Sequence, residues 1–401
     1  MSSANELPPI SIDSECDTCG EPIFDDDLSV DAAQITTYFT SQTSTIVNET
    51  YENDYRYRFS DGQHIRFQQK ESNRLDIVHY MTVALCDEKL HLAPIGSSPQ
   101  NILDIGAGTG IWCCQMGDDY PSAQILGVDL SAIRNTKHVT PENVKFEIDD
   151  IESDWTFIDS FDYIHCRYMY AAIRDWPKLV ERCFNHLTPG CWAEFQDFDV
   201  PWYSDDGTYD TESSLGRWYK LFYKATRQHG RELSPGPKLE GWVRGAGFTD
   251  VVVKKMRVPV GRWPKDPKLK TVGTWNLLQV IEGMEGFSMA LFSRVLGWSP
   301  DAIQAFVAEV VKDLRNPKMH AQFDLSAAAP KTPSPAKKTN LVMYTLFTGE
   351  NLKRANENDL SPRLGKIRIS LWKRKPNTMS TRYKGETFSL SASICAPGYT
   401  A

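Results

Sequence analysis

The run Asn101-Ile102-Leu103-Asp104-Ile105-Gly106-Ala107-Gly108-Thr109-Gly110, followed by Gln124-Ile125-Leu126-Gly127-Val128-Asp129, decides the fold of this 401-residue chain. A short apolar strand runs into Asp104, a glycine turn follows, a helix opens near Ile111, and a second apolar strand ends in an acid. Glycines let a backbone approach a ligand where any Cβ would collide. An acid after the second strand can accept hydrogen bonds from both hydroxyls of a ribose. The pattern therefore points to a pocket for an adenosine-bearing ligand at the ends of parallel strands.

The glycine spacing narrows the ligand. A dinucleotide loop reads G-x-G-x-x-G and seats a pyrophosphate on the helix N-terminus. Here the order is Asp104-x-Gly106-x-Gly108-x-Gly110, with an acid entering the loop and Ile111 where the third dinucleotide glycine would fall. A carboxylate there repels a pyrophosphate and suits a ligand carrying an ammonium and a sulfonium. That favours S-adenosylmethionine over a nicotinamide cofactor, and it disfavours a dehydrogenase.

Outward from the loop, the strands alternate with helices. A helix is expected over 71–91, then strand 101–105, helix 110–119 and strands 124–129, 144–148 and 161–165. Helix 176–187 ends at Pro189-Gly190, and strand 191–198, helix 234–245 and strand 250–260 follow. Such alternation gives a parallel sheet covered on both faces. Residues 268–315, rich in Leu, Met, Phe and Trp, read as two or three helices capping the strand ends at about 265–315.

The termini differ from this body. Residues 1–55 hold twelve acids and no Lys or Arg, and residues 326–401 hold thirteen Lys/Arg against four acids. The first 45 residues read as a disordered acidic arm and 326–401 as a basic, disordered extension opening on the linker-like Ala327-Ala328-Ala329-Pro330. No apolar run approaches the ~20 residues that span a bilayer, and the N-terminus carries no signal-peptide pattern. Nine cysteines, most within apolar patterns, read as reduced thiols in the cytoplasm, the nucleus or both. Cys16-x-x-Cys19 lacks a second ligand pair, so no metal is expected.

These segments together resemble a known family, the fungal LaeA-like methyltransferases of the class I S-adenosylmethionine-dependent fold. The resemblance rests on Tyr51-Glu52-Asn53, Arg74-Leu75-Asp76 with His79, Asp104 to Trp112, and Gly127-Val-Asp-Leu-Ser131. It continues through Phe146-Glu-Ile-Asp-Asp150, Trp155, Asp175-Trp176-Pro177 and Gly261-Arg-Trp-Pro264, covering about 48–325. It implies a Rossmann-like α/β domain, 46–325, with a mostly parallel seven-stranded sheet and a helical cap. It also implies roles. Gly106, Ala107, Gly108 and Gly110 would line S-adenosylmethionine, and Asp104 would fix the loop and face the ammonium. Asp129 and Leu130 would hold the ribose, and Asp150 and Ile151 the adenine. His165 and Cys166 would lie beneath the transferred methyl, and Glu52 and Asn53 would close the pocket. His165, with His79 beside it, is the candidate base.

Blander readings stand next to these. Aspartates after strands are common turn residues, although three in this order argue for a ligand. His165 is equally a hydrogen-bonded structural group. The cap aromatics Trp263, Trp275, Phe287, Phe292 and Trp298 are core residues, of which one or two should line an acceptor pocket. The basic run Lys373-Arg374-Lys375-Pro376 reads as a nuclear address or as a solvated tail.

Two places depart from the family pattern. The segment after Asn53 reads Asp54-Tyr55-Arg56-Tyr57-Arg58, without the family's glycine and final histidine. The final antiparallel strand begins at Met319 and stops at Leu325, truncated, unless 366–372 refill the slot. The expected activity is methyl transfer to a small secondary metabolite or a protein. The alternative is a regulatory subunit of a nuclear complex controlling secondary metabolism or development. Direct DNA or membrane binding is not expected.

Overall fold

The computed structural model describes residues 7–13, 61–131, 139–334, and the strands 379–383 and 386–390. For 61–70 it describes the backbone alone. In chain order the elements are α1 (Asp61–Leu85), β1 (Asn101–Ile105), α2 (Ile111–Asp119), β2 (Gln124–Asp129), β3 (Val144–Ile148) and β4 (Phe161–Arg167). Then come α3 (Trp176–His186), β5 (Leu187–Tyr203), α4 (Ser214–Gln228), α5 (Leu239–Gly245) and β6 (Thr249–Pro259). The helices α6 (Pro267–Arg294) and α7 (Pro300–Leu314) precede β7 (Gln322–Lys331). The sheet order is β3-β2-β1-β4-β5-β7-β6, with β7 antiparallel to both neighbours and β1 to β5 parallel.

Burial on both faces explains the apolar strands. Ile102, Ile125 and Tyr163 face α2 through Trp112 and Met116. Leu103, Ile105, Ile164 and Phe195 face α3 and α5 through Leu179, Cys183, Leu239 and Val243. Local chemistry starts the helices: Asp175, Ser213, Asp266 and Ser299 each accept a backbone N–H from the first turn, and prolines sit in the first turn of α3, α6 and α7. Helices α4, α6 and α7 enclose a further core of Trp218, Phe222, Met284, Phe292 and Phe306, which also takes Met81 and Leu85 from α1. Helix α4 has no counterpart in the sequence reading, although Leu215, Trp218, Phe222 and Ala225 recur at helical spacing and are buried.

The expected truncation of the last strand is corrected. Strand β7 continues through Ser326-Ala-Ala-Ala-Pro-Lys331, pairing Ala328 with Phe195 on one side and Val253 on the other. Thr332 then stitches the end: its N–H donates to the Cys191 carbonyl at 2.9 Å, and its Oγ1 accepts from Gly190 N at 2.9 Å. The alanines resembled a linker because they carry little hydrophobic signal. In a strand paired on both edges small side chains suffice, and Ala327, Ala328 and Ala329 are all buried. The boundary at 325 therefore falls inside a strand, and 326–332 are ordered sheet rather than disordered extension.

The acidic arm is also ordered at 7–13. Ile12 bridges Pro264, Asp13 N donates to the Trp263 carbonyl, and Lys265 N donates to the Ser11 carbonyl. Asp13 pairs with Lys270, and Arg257 donates to the Leu7 carbonyl. The remaining arm, the segment 366–372 and the basic run 373–376 lie outside the described residues. The unit Lys338–Ala401 contains an antiparallel pair, β8 (Met379–Tyr383) with β9 (Glu386–Leu390).

Candidate active site

The turn after β1 is built by three glycines in the left-handed region: Gly106 at φ 74°, Gly108 at 58° and Gly110 at 78°. At Gly106 the left-handed conformation favours glycine, and Met169 Sδ packs where a Cβ would stand. Val128 O receives the amides of Gly106 and Ala107 at 2.9 and 3.0 Å, which locks the turn to β2. Asp129 completes the lock. Its Oδ2 accepts from Gly108 N at 3.0 Å, while Oδ1 accepts from the amide and hydroxyl of Ser131, both at 2.9 Å.

Beyond β3, Asp150 turns the chain by accepting from Glu152 N at 2.9 Å, and its side chain remains exposed. Ile151 is buried beside it. Leu130, at 53% exposure, and Ile148, at 52%, leave an apolar rim next to these acids. Ile148 pairs directly with Asp129. The sequence reading did not single it out, because at a strand end its exposure cannot be told from burial.

Asp104 lies below the turn, 3% exposed. Its Oδ1 accepts from His165 Nδ1 at 2.7 Å and its Oδ2 from Cys113 Sγ at 3.2 Å. The indole of Trp112 stacks on the His165 ring at 4.0 Å and 5°. The fixing role expected of Asp104 is thus built in, but both its oxygens are engaged inside the protein and not turned to a ligand.

His165, at 1% exposure, cannot serve as a base that touches an acceptor. Residue parity along β4 turned it onto the α2 face of the sheet. Cys166 faces the opposite core with Cys183; burial pushes its thiol pKa well up, so only its backbone is available near the turn. His79 is buried on α1, meeting Gln115 Oε1 through Nε2 at 2.8 Å and Arg167 Nη2 through Nδ1 at 2.9 Å. Glu52 and Asn53 lie outside the described residues.

Helix α1 touches both sides of this region. Thr109 Oγ1 in the turn donates to Asp76 Oδ1 at 2.7 Å. Two residues earlier, Arg74 donates from Nη1 to Gln279 Oε1 at 3.0 Å and lies over the Phe287 ring. Gln279 and Phe287 line a small, partly open apolar cavity whose other walls include Tyr170, Phe198, Trp202 and Trp218. Of the five cap aromatics singled out from the sequence, only Phe287 lines it. Trp263 and Phe292 are core, and Trp275 and Trp298 pack against that core.

A family model for a methyltransferase domain matches residues 77–253. Over 321 residues the chain is 37% identical to methyltransferase pytC of Aspergillus terreus, covering 79% of this chain and 98% of that protein. The chain belongs to the LaeA-like S-adenosylmethionine-dependent methyltransferases. Within the family it is also 36% identical over 258 residues to the secondary metabolism regulator LAE1 of Cochliobolus heterostrophus, covering 63% of this chain and 83% of that one. It is 35% identical over 257 residues to the protein-methionine methyltransferase laeA of Emericella nidulans, covering 63% and 68%.

In this LaeA-like chain, the matched region runs from α1 into β6 and so contains the glycine turn, Asp129, Asp150 and the end of β4. The cap helices α6, which lines the cavity, and α7 fall beyond residue 253. Among the described residues no cluster of His, Cys, Asp and Glu could hold a metal, and no helix is long and apolar enough to cross a membrane.

Proposed function

We propose that this methyltransferase binds S-adenosylmethionine on the Gly106–Gly110 turn and methylates a small, flat, largely apolar acceptor held in the cavity beneath the cap. One observation carries the reading: a single segment, Tyr168–Tyr170, walls both places. Met169 Sδ lies against Gly106, while Tyr170 lines the cavity. The turn and the cavity are therefore neighbours that share this segment as a common wall.

The residues fit the cofactor. The left-handed glycines Gly106, Gly108 and Gly110 form the turn, Asp129 stands where a ribose diol would be accepted, and Asp150 and Ile151 with exposed Leu130 and Ile148 form a slot for adenine. Bound S-adenosylmethionine supplies a methyl group activated by positive sulfur. The chain's own task is alignment and exclusion of water, and proximity of this kind lowers a barrier by about 7–11 kcal/mol. No lining residue of the cavity is a His, Asp or Glu, which favours an acceptor that needs no strong base from the protein. The near-complete coverage of methyltransferase pytC supports an enzyme.

A second reading is a LaeA-like regulator acting in a nuclear complex, its regulatory part supported by the likeness to the secondary metabolism regulator LAE1. Calorimetric titration of S-adenosylmethionine into the full chain and into Gly108→Arg tests the cofactor site. Binding by the wild type that is lost in the variant is expected. Release of S-adenosylhomocysteine on addition of small phenols then separates the two readings, since a regulator with an unfilled cavity releases none.

A further inference from the structure

We propose that Asp197 is a positioning residue for the transfer: it latches the segment Tyr168–Ala171 in place as the wall shared by cofactor turn and acceptor cavity. The proposal rests on the reading of those two sites given above. The segment leaves β4 under strain, because Tyr168 at φ 57° and Ala171 at 56° are side-chain-bearing residues in the left-handed region. Such conformations persist where the surroundings over-determine them.

Asp197 supplies that constraint from the end of β5. Its Oδ2 accepts from Met169 N at 2.9 Å and its Oδ1 from Phe198 N at 2.8 Å, and it is 1% exposed. No Lys or Arg is among its hydrogen-bond or ion-pair partners in the described residues. A buried carboxyl group served only by backbone amides is costly to the fold, and what it secures here is the backbone of that wall. Flanking bonds fix the ends: Tyr168 N donates to Gln196 O at 3.0 Å and Ala171 N to Glu232 O at 2.7 Å.

The outward side chains then take up their stations. Met169 lies on Gly106, and the Tyr168 ring stacks on Phe198 at 4.6 Å while its hydroxyl bonds Thr82. Tyr170 meets the edge of Phe198 at 5.4 Å and lines the cavity. Phe198 is the residue next to Asp197, so adjacent residues of β5 hold the segment's backbone and its two tyrosine rings.

Asp197→Asn tests this because it keeps the shape and exchanges one acceptor for a donor facing an N–H. Full-length wild type, Asp197→Asn and Asp197→Asn with Ala171→Gly are titrated with S-adenosylmethionine by calorimetry, and with 1-naphthol by tryptophan emission. The single variant is expected to weaken both ligands at least tenfold with unchanged far-UV circular dichroism. Glycine at 171 adopts the left-handed region freely and should recover at least threefold of each. Unchanged binding, loss of one ligand only, or no recovery by the double variant overturns the latch. Wild-type protein that binds neither ligand overturns the underlying reading of the sites, and the latch with it. Should Asp197→Asn fail to fold, hydrogen exchange on the ligand-free wild type decides. Protection of the Met169 amide at the level of β4 and β5 amides supports the latch, and fast exchange overturns it.

Discussion

His165 donates from Nδ1 to Asp104 Oδ1 at 2.7 Å while Trp112 covers the other side of the same ring. The three residues come from β4, β1 and α2, so the imidazole is a rivet through the element that carries the glycine turn. His165→Ala should cost stability before chemistry, on the order of 2–4 kcal/mol for a buried side chain and its hydrogen bond. Urea denaturation and S-adenosylmethionine turnover at 15 °C check this together. A fully stable but inactive variant would restore the acid–base role.

Asp129 should matter to the cofactor more than to the fold. Its carboxylate shapes the turn through Gly108 N and stands where the ribose is expected. Hydrogen bonds to a charged group are worth about 1.5–3 kcal/mol, which corresponds to roughly 10- to 150-fold in affinity. Asp129→Ala should weaken S-adenosylmethionine by that range in calorimetry. Wild-type affinity would remove Asp129 from the site.

The extent of β7 sets where the chain can be cut. A chain ending at Leu325 strands the facing edges of β5 and β6, whereas one ending at Ser334 keeps the Thr332 stitch. The shorter form should be insoluble or lack a cooperative melt. The longer one should melt within a few degrees of the full protein by circular dichroism.

Asp197 should also leave a mark on stability against pH. Burial pushes its carboxyl up to about 8, against backbone N–H bonds from Phe198, Met169 and Tyr170 that pull it down. In the unfolded chain the group titrates near 3.9. Between those values the folded state holds the extra proton, so this contribution to stability falls as pH rises from about 4 to about 8 and then levels. From pH 5 to 7 the wild type should lose more stability in urea titrations than Asp197→Asn does. An equal or smaller loss contradicts the assignment.

Much of this was legible along the chain. The glycine run and Asp129 announce their turn because the needed contacts, such as Gly108 N to Asp129, span only 21 residues and recur as a spaced motif. The alternation of strands and helices follows from burial on both sheet faces. Other features are silent in one dimension. Arg74 and Gln279 are 205 residues apart and have no local pattern that joins them. His165 looked available because it lies near the end of β4, yet parity alone decided which face it took. The alanines of β7 misled because their role depends on neighbours contributed by two distant strands, and the wall held by Asp197 shows itself only through backbone angles.

Strand β7 has one consequence for how the protein is made. It is the last strand of the main sheet to leave the ribosome, yet it fills a place between two made long before it. Until residue 331 has been synthesised, β5 and β6 each present an open edge backed by apolar faces, an invitation to pair with other nascent chains. The final insertion must close long loops at once, which makes it intrinsically slow. Yield in a heterologous host should therefore respond to translation speed and chaperone supply more than to surface charge.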